Sequence, residues 1–151
     1  MVQKTFKVAE IELTYSPDYK IADKPKINSS NDAFQVLISQ WNLTRIELLE
    51  EFKIILMNRR NRVIGVVPIS KGGIAGTVAD PKVIFAAALK SCASGIILAH
   101  NHPSGELDPS NEDIKLTQKI KEGGKVLDIQ VLGHLIITSD KFYSFADAGL
   151  M

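Results

Sequence analysis

Apolar positions change their spacing several times along the chain, and each change marks an element. In VAEIELTY, residues 8–15, Ile11, Leu13 and Tyr15 alternate with Glu10, Glu12 and Thr14, the period of a half-buried strand. The polar segment SPDYKIADKPKINSS follows with two prolines and predicts a surface connection. Residues 1–28 are therefore expected to form an arm, and residues 29–151 a compact domain. Ser29 or Ser30 opens a helix through SNDAFQVLISQW, with Ser29 and Asp32 spaced as a capping box and Phe34, Val36, Leu37 and Trp41 near helical spacing. After Glu50 and Glu51 come two apolar, β-branched runs, FKIILM and RVIGVVPIS, separated by Asn58–Asn61 as in a hairpin. Asp80-Pro81 starts a helix through VIFAAALKSC, broken by Gly95, and IILAH reads as a buried strand ending at His100. The turn-rich NHPSGELDP leads to a helix that Ser110 begins and Gly123-Gly124 ends. LDIQVL and HLIIT supply one or two closing strands. The order αββαβαβ(β) predicts an α/β fold whose central sheet is covered by helices, mixed because the 52–70 pair reads as a hairpin.

Composition narrows the function. A chain of 151 residues, 45% hydrophobic and 23% charged, suits one domain that buries roughly 70% of its unfolded surface. Eighteen basic against 17 acidic residues leave a net charge of +1, which argues against a generally basic nucleic-acid binder and against an acidic tail. No apolar run approaches a bilayer span, and MVQKTFKVAEIEL lacks the apolar core and cleavage site of a secretory signal. The single cysteine, Cys92, excludes an intrachain disulfide and a multi-cysteine zinc site. A reduced, cytoplasmic protein with no membrane partner is expected.

Chemistry concentrates at the end of the IILAH strand. Two of the three histidines, His100 and His102, sit one residue apart there. On an extended segment their side chains share a face, while Asn101 points away and Pro103 ends the hydrogen-bond ladder. Asp113 follows eleven residues after His102, in the first turn of the next helix. Two imidazoles and one carboxylate with an open fourth position make the ligand set of a catalytic zinc site. Each piece also has a plainer reading: a strand-end histidine as an ordinary polar residue, Ser110 with Asp113 as a capping box, Glu112 as a dipole partner. His134 reads as a satisfied core or sheet-edge histidine, Cys92 as a small core residue on a helix, and Arg59, Arg60 and Arg62 as a solvated turn. There is no HExxH, no HxE with PCxxC and no phosphate-binding glycine loop.

The string HNHPSGELDPSNED resembles the JAMM metalloprotease motif of JAB/MPN domains, H-x-H-x(10)-D with an upstream Glu. EEFKIILMNRRNRVIG, GIILAHNHPSG and PSNEDIKLTQKIKEGGKVLDIQVLGHLIIT resemble the RadC branch of that family, over about residues 29–148. The resemblance implies an MPN/JAB-type mixed sheet flanked by helices, a layer architecture like that of cytidine deaminases. It also implies zinc on His100, His102 and Asp113. The family's Glu, which takes a proton from the zinc-bound water and hands it to the leaving amine, corresponds to Glu51, with Glu50 as its competitor because a strand alternates faces. Ser110 matches the family serine that helps stabilise the oxyanion, and it reads equally as the N-cap of its helix.

What the resemblance implies functionally is a zinc-dependent hydrolase of amide or isopeptide bonds. The alternative is a RadC-type, DNA-repair-associated accessory domain without peptidase turnover, and a third reading is an interaction scaffold. The intact ligand set favours hydrolase over scaffold. The near-neutral charge favours it over the nucleic-acid role, for which only weak, non-specific binding is expected. Longer RadC-type proteins carry a helix-hairpin-helix region, whereas the fifty residues before Glu51 read as a strand, a loop and one helix. The peptide or isopeptide substrate is not encoded in any recognisable motif.

Overall fold

The computed structural model describes residues 2–73 and 77–151. A short 3-10 turn, Ile21–Asp23, precedes α1 (Ser30–Gln40), β1 (Glu51–Met57), β2 (Val63–Lys71) and α2 (Pro81–Lys90). Then come β3 (Gly95–Asn101), α3 (Asn111–Leu127), β4 (Gln130–Ile137) and β5 (Phe142–Ser144). The strands form one sheet in the order β2-β1-β3-β4-β5. β1 is antiparallel to β2 and to β3, β3 and β4 are parallel, and β5 returns antiparallel to β4. A parallel pair needs a long crossover, which α3 provides. The sheet is mixed and the fold α/β, as the alternation of periods predicts.

Both faces of the sheet are covered, which explains why β1 and β3 are buried at every position and carry no alternating pattern. Phe34, Leu37 and Trp41 of the α1 region pack on Ile55, Met57, Ile97, Ala99, Leu135 and Ile137. On the other face, Ile84 and Ala88 of α2 and Ile120 of α3 pack on Phe52, Ile54, Leu56, Ile96 and Leu98. Caps lie where the sequence places them. Ser29 accepts from Asp32 N, and Asp80 accepts from Lys82 N.

Three expectations are corrected. Residues 8–15 form no strand: Ile11, Leu13 and Tyr15 are exposed, and the segment has no ladder partner, without which alternation alone does not define a strand. Tyr15 instead donates its hydroxyl to the carbonyl of Ile64 at 3.1 Å and accepts from Lys24 Nζ. Helix α2 stops at Lys90, so Cys92 lies beyond it, exposed and with φ of 54°. Helix α3 runs through Gly123 and Gly124 to Leu127 and is capped by Asp128 at φ of 55°. The glycines are packing residues: a Cβ on Gly123 would come 2.7 Å from the Phe85 ring, and one on Gly124 would strike the Ile129 carbonyl. Of the one or two strands expected from LDIQVL and HLIIT, the structure has one, β4, continuous through Gly133.

Candidate metal centre

The C-terminal end of β3 lies beside the N-terminal end of β1, where the backbone register decides which side chains converge. Phe52 is paired with His100, and directly opposed residues of an antiparallel pair share a face. One step further out, Glu51 and Asn101 point to the α1 face. Another step brings Glu50 and His102 back to the face of α2 and α3.

His100 is the penultimate residue of β3 and is buried, its ring parallel to that of Phe52. His102 leaves the strand in a tight turn in which Gly105 N donates to the His102 carbonyl at 3.0 Å. Gly105 sits at φ of 85°, a conformation open to glycine, and the turn carries the Glu106 carbonyl to within 2.7 Å of His102 Nδ1. A carbonyl only accepts, so His102 Nδ1 holds the proton and its Nε2 faces inward. The two Nε2 atoms are 3.0 Å apart.

Asp113 closes the group from the first turn of α3. Its Oδ1 lies 3.3 Å from His100 Nε2, and its Oδ2 lies 3.5 Å from His102 Nε2. A reciprocal capping box fixes the carboxylate: Ser110 N donates to Asp113 Oδ2 at 2.9 Å, and Asp113 N donates to Ser110 Oγ at 3.1 Å. The capping box thus leaves the Asp113 carboxylate beside both imidazoles. Ser110 is exposed and serves as the N-cap, a bond that uses its oxygen and not its hydroxyl proton.

Glu50, not Glu51, joins this face. Glu50 Oε1 is 3.8 Å from His102 Nε2, while its Oε2 accepts from Thr77 N at 2.7 Å. One donor atom from each of Glu50, His100 and His102 lies within 4.8 Å of the others. Glu51 is buried on the opposite face, 3.9 Å from Arg45 Nη2 and 3.7 Å from Lys53 Nζ. The expectation that Glu51 points into the site is corrected by one residue of strand parity.

These donors fit a divalent cation. Bonds of about 2.0–2.2 Å at tetrahedral angles would separate neighbouring ligand atoms by about 3.3–3.6 Å. His100 Nε2 to Asp113 Oδ1, 3.3 Å, and His102 Nε2 to Asp113 Oδ2, 3.5 Å, lie in that range, and the two Nε2 atoms, 3.0 Å apart, sit slightly inside it. Charge agrees with geometry. Burial works against ionisation of Asp113, yet the imidazoles and Ser110 N–H hold its carboxyl far below the usual carboxylate range. The hydrogen bond that Asp113 accepts, against the cost of burial, raises the pKa of His102 above its ordinary value. Two facing nitrogens and a carboxylate thus form a donor set suited to a positive charge placed between them.

Asn101, on the far face, has a part that its position between the histidines does not advertise. It accepts from Glu51 N at 2.7 Å and donates to the carbonyls of Ile46 and Leu49 at 2.7 and 2.9 Å. The loop that delivers Glu50 is therefore tied to the strand that delivers both histidines. His134, the third histidine, is fully buried with Nε2 2.8 Å from His100 Nδ1 and Nδ1 2.6 Å from Thr117 Oγ1. It is a satisfied core histidine, and what satisfies it is the site itself. The only hint in the sequence is a polar residue within the apolar run of β4.

Residues 27–150 match the family model of the RadC-like JAB domain. The chain belongs to the RadC-like JAB domain family. Among curated relatives, it is 48% identical over 125 residues to a UPF0758 protein of Flavobacterium johnsoniae, covering 83% of this chain and 53% of that one. It is 39% identical over 139 residues to a UPF0758 protein of Staphylococcus haemolyticus, covering 91% and 58%. A UPF0758 protein of Clostridium kluyveri is 36% identical over 148 residues, covering 98% and 63%. The chain thus spans between half and two thirds of the length of these relatives. In this RadC-like JAB domain, no helix among the described residues is long and apolar enough to cross a membrane.

Proposed function

We propose that this domain is a zinc-dependent hydrolase of amide or isopeptide bonds, with His100, His102 and Asp113 holding the metal ion and Glu50 as general base. The observation that supports it is the convergence of two Nε2 atoms, a carboxylate and a second, separately anchored carboxylate on one face of the sheet. A bound zinc ion would polarise a carbonyl and lower the pKa of its water to about 7. Glu50 is suited to the proton work because Thr77 N occupies Oε2 and leaves Oε1 directed at the site. From there it would accept a proton from the attacking water and return it to the leaving amine. Ser110, with its hydroxyl proton still available, would donate to the developing oxyanion.

The test is a pair of substitutions assayed on a broad panel of peptide and isopeptide substrates. Glu50→Gln keeps shape but not basicity, so it should retain the metal and lose about 10²–10⁴-fold in turnover. Full activity in Glu50→Gln would remove Glu50 as the base. A wild-type protein that cleaves nothing in the panel would favour the other reading.

That second reading, a nucleic-acid-associated accessory domain, has one observation of its own. At the opposite end of β3 lies a groove of about 1010 Å³ to which Arg59, Lys121 and Lys125 contribute, with Asp128 as the opposing charge. Phosphate contacts there would give binding that falls steeply with salt and is lost when these three residues become alanine.

A further inference from the structure

We propose that His134 and Thr117 are positioning residues, which together hold His100 in the tautomer whose Nε2 lone pair faces the metal centre. This rests on the metal-site reading above but concerns residues that touch no metal. The available hydrogens fix the tautomers. Thr117 Oγ1 lies 2.7 Å from the Asp113 carbonyl, which can only accept, so the single hydroxyl proton of Thr117 is spent there. Toward His134 Nδ1, at 2.6 Å, the same oxygen can therefore only accept, and His134 must carry its proton on Nδ1.

His134 is fully buried, stacked on Phe145 with ring centroids 4.5 Å apart and edge-on to Phe52 at 5.6 Å. Fully enclosed between aromatic rings, with its two nitrogens bonded to His100 and Thr117 and to no carboxylate, the ring is held in its neutral form. A neutral imidazole with its proton on Nδ1 has a lone pair on Nε2. That lone pair lies 2.8 Å from His100 Nδ1, which must donate to it. His100 then has no need of a proton on Nε2, the atom 3.0 Å from His102 Nε2 and 3.3 Å from Asp113 Oδ1. The other tautomer would aim an N–H into the centre and oppose a cation.

The relay also couples the ligands. Thr117 is one helical turn after Asp113 and bonds its carbonyl, so the element that presents the carboxylate also sets the imidazole. Partners to the second nitrogen of a ligand histidine commonly change metal affinity by about ten- to a hundred-fold.

Thr117→Val is the informative variant. Valine matches the shape of threonine, so a purely packing role predicts little change. Without the hydroxyl oxygen, His134 Nδ1–H is a buried donor with no acceptor, and moving the proton to Nε2 relieves it. His134 Nε2–H then forces His100 Nδ1 to accept and puts the His100 proton on Nε2. The measurements are zinc affinity, by competition with a chelator, and ring-nitrogen NMR of the metal-free full chain above the reference histidine pKa of about 6.5. The expected result is a loss of about ten- to a hundred-fold in zinc affinity for Thr117→Val, near-wild-type affinity for Thr117→Ser, and protonated Nδ1 on wild-type His134 and His100.

Equal weakening in the valine and serine variants would overturn the relay in favour of packing, as would unchanged zinc affinity in Thr117→Val. Protonated Nε2 on wild-type His134 would overturn it without any variant. A wild-type protein that binds no zinc would refute the metal-site reading, while its ring spectra would still decide the relay.

Discussion

Glu50 and Glu51 are adjacent and chemically identical, yet they serve opposite faces of one strand. Glu51 lies beside Arg45 and Lys53, and Lys53 Nζ sits 4.6 Å from the centre of the Trp41 ring. Burial pushes the Lys53 pKa down, and the charge of Glu51 pulls it back up. Glu51→Gln should accordingly act on stability, costing about 1–3 kcal/mol by leaving Lys53 without its counter-charge, with metal content unchanged. Thermal or urea unfolding beside metal analysis checks this, and loss of metal in Glu51→Gln would return Glu51 to the site. At this scale the sequence was informative about residue types and less so about partners. That His100, His102 and Asp113 come together was legible from their spacing at a strand end and a helix start. Parity at Glu50 was not legible, because β1 is covered on both faces and Lys53 is buried along with its apolar neighbours. Nor was the tie between His134 and His100, which joins residues 34 apart in the chain through the parallel pairing of β3 and β4.

At the scale of elements, the junction between α3 and β4 holds the centre in register. Helix α3 presents Asp113 at its first turn and Thr117 one turn later, then meets β4 so closely that Gly124 lies against the Ile129 carbonyl. Gly124→Ala would improve intrinsic helix propensity by about 1 kcal/mol. The clash with backbone has no flexible neighbour to absorb it, and overpacking costs about 1–3 kcal/mol. Net destabilisation with a weakened metal site is expected, measured by unfolding and by zinc affinity; an Ala variant more stable than wild type would contradict the close approach. The same residues explain a misreading of the sequence, since a Gly-Gly pair signals a helix end when its packing partner is unknown. The hairpin, the capped helix starts and the buried β3 were legible because turn chemistry and hydrophobic runs are local. The strand expected over residues 8–15 failed because pairing is not: alternation in the arm meets no sheet edge, and its apolar side chains stay exposed.

For the whole molecule, the mixed sheet brings a loop before β1, a turn after β3 and the start of α3 to one place, the arrangement on which the proposed metal chemistry rests. Protons compete for that place. Because Asp113 raises the pKa of His102, metal-free protein holds a proton there to a pH above the reference value of about 6.5, and zinc requires the neutral ring. Apparent zinc affinity should therefore fall on acidification from above that value, with proton release on binding near neutrality seen in calorimetry across buffers of different ionisation enthalpy. An affinity independent of pH from above that value to well below it would count against histidine ligation. The most direct test of the account is the zinc stoichiometry of untagged full-chain protein equilibrated with zinc and freed of excess, measured for wild type, Glu50→Gln and His102→Ala. One zinc per chain in the first two and none in the third is the predicted result; a wild type without zinc, or a Glu50→Gln variant that has lost it, would contradict the assignment of ligands and base.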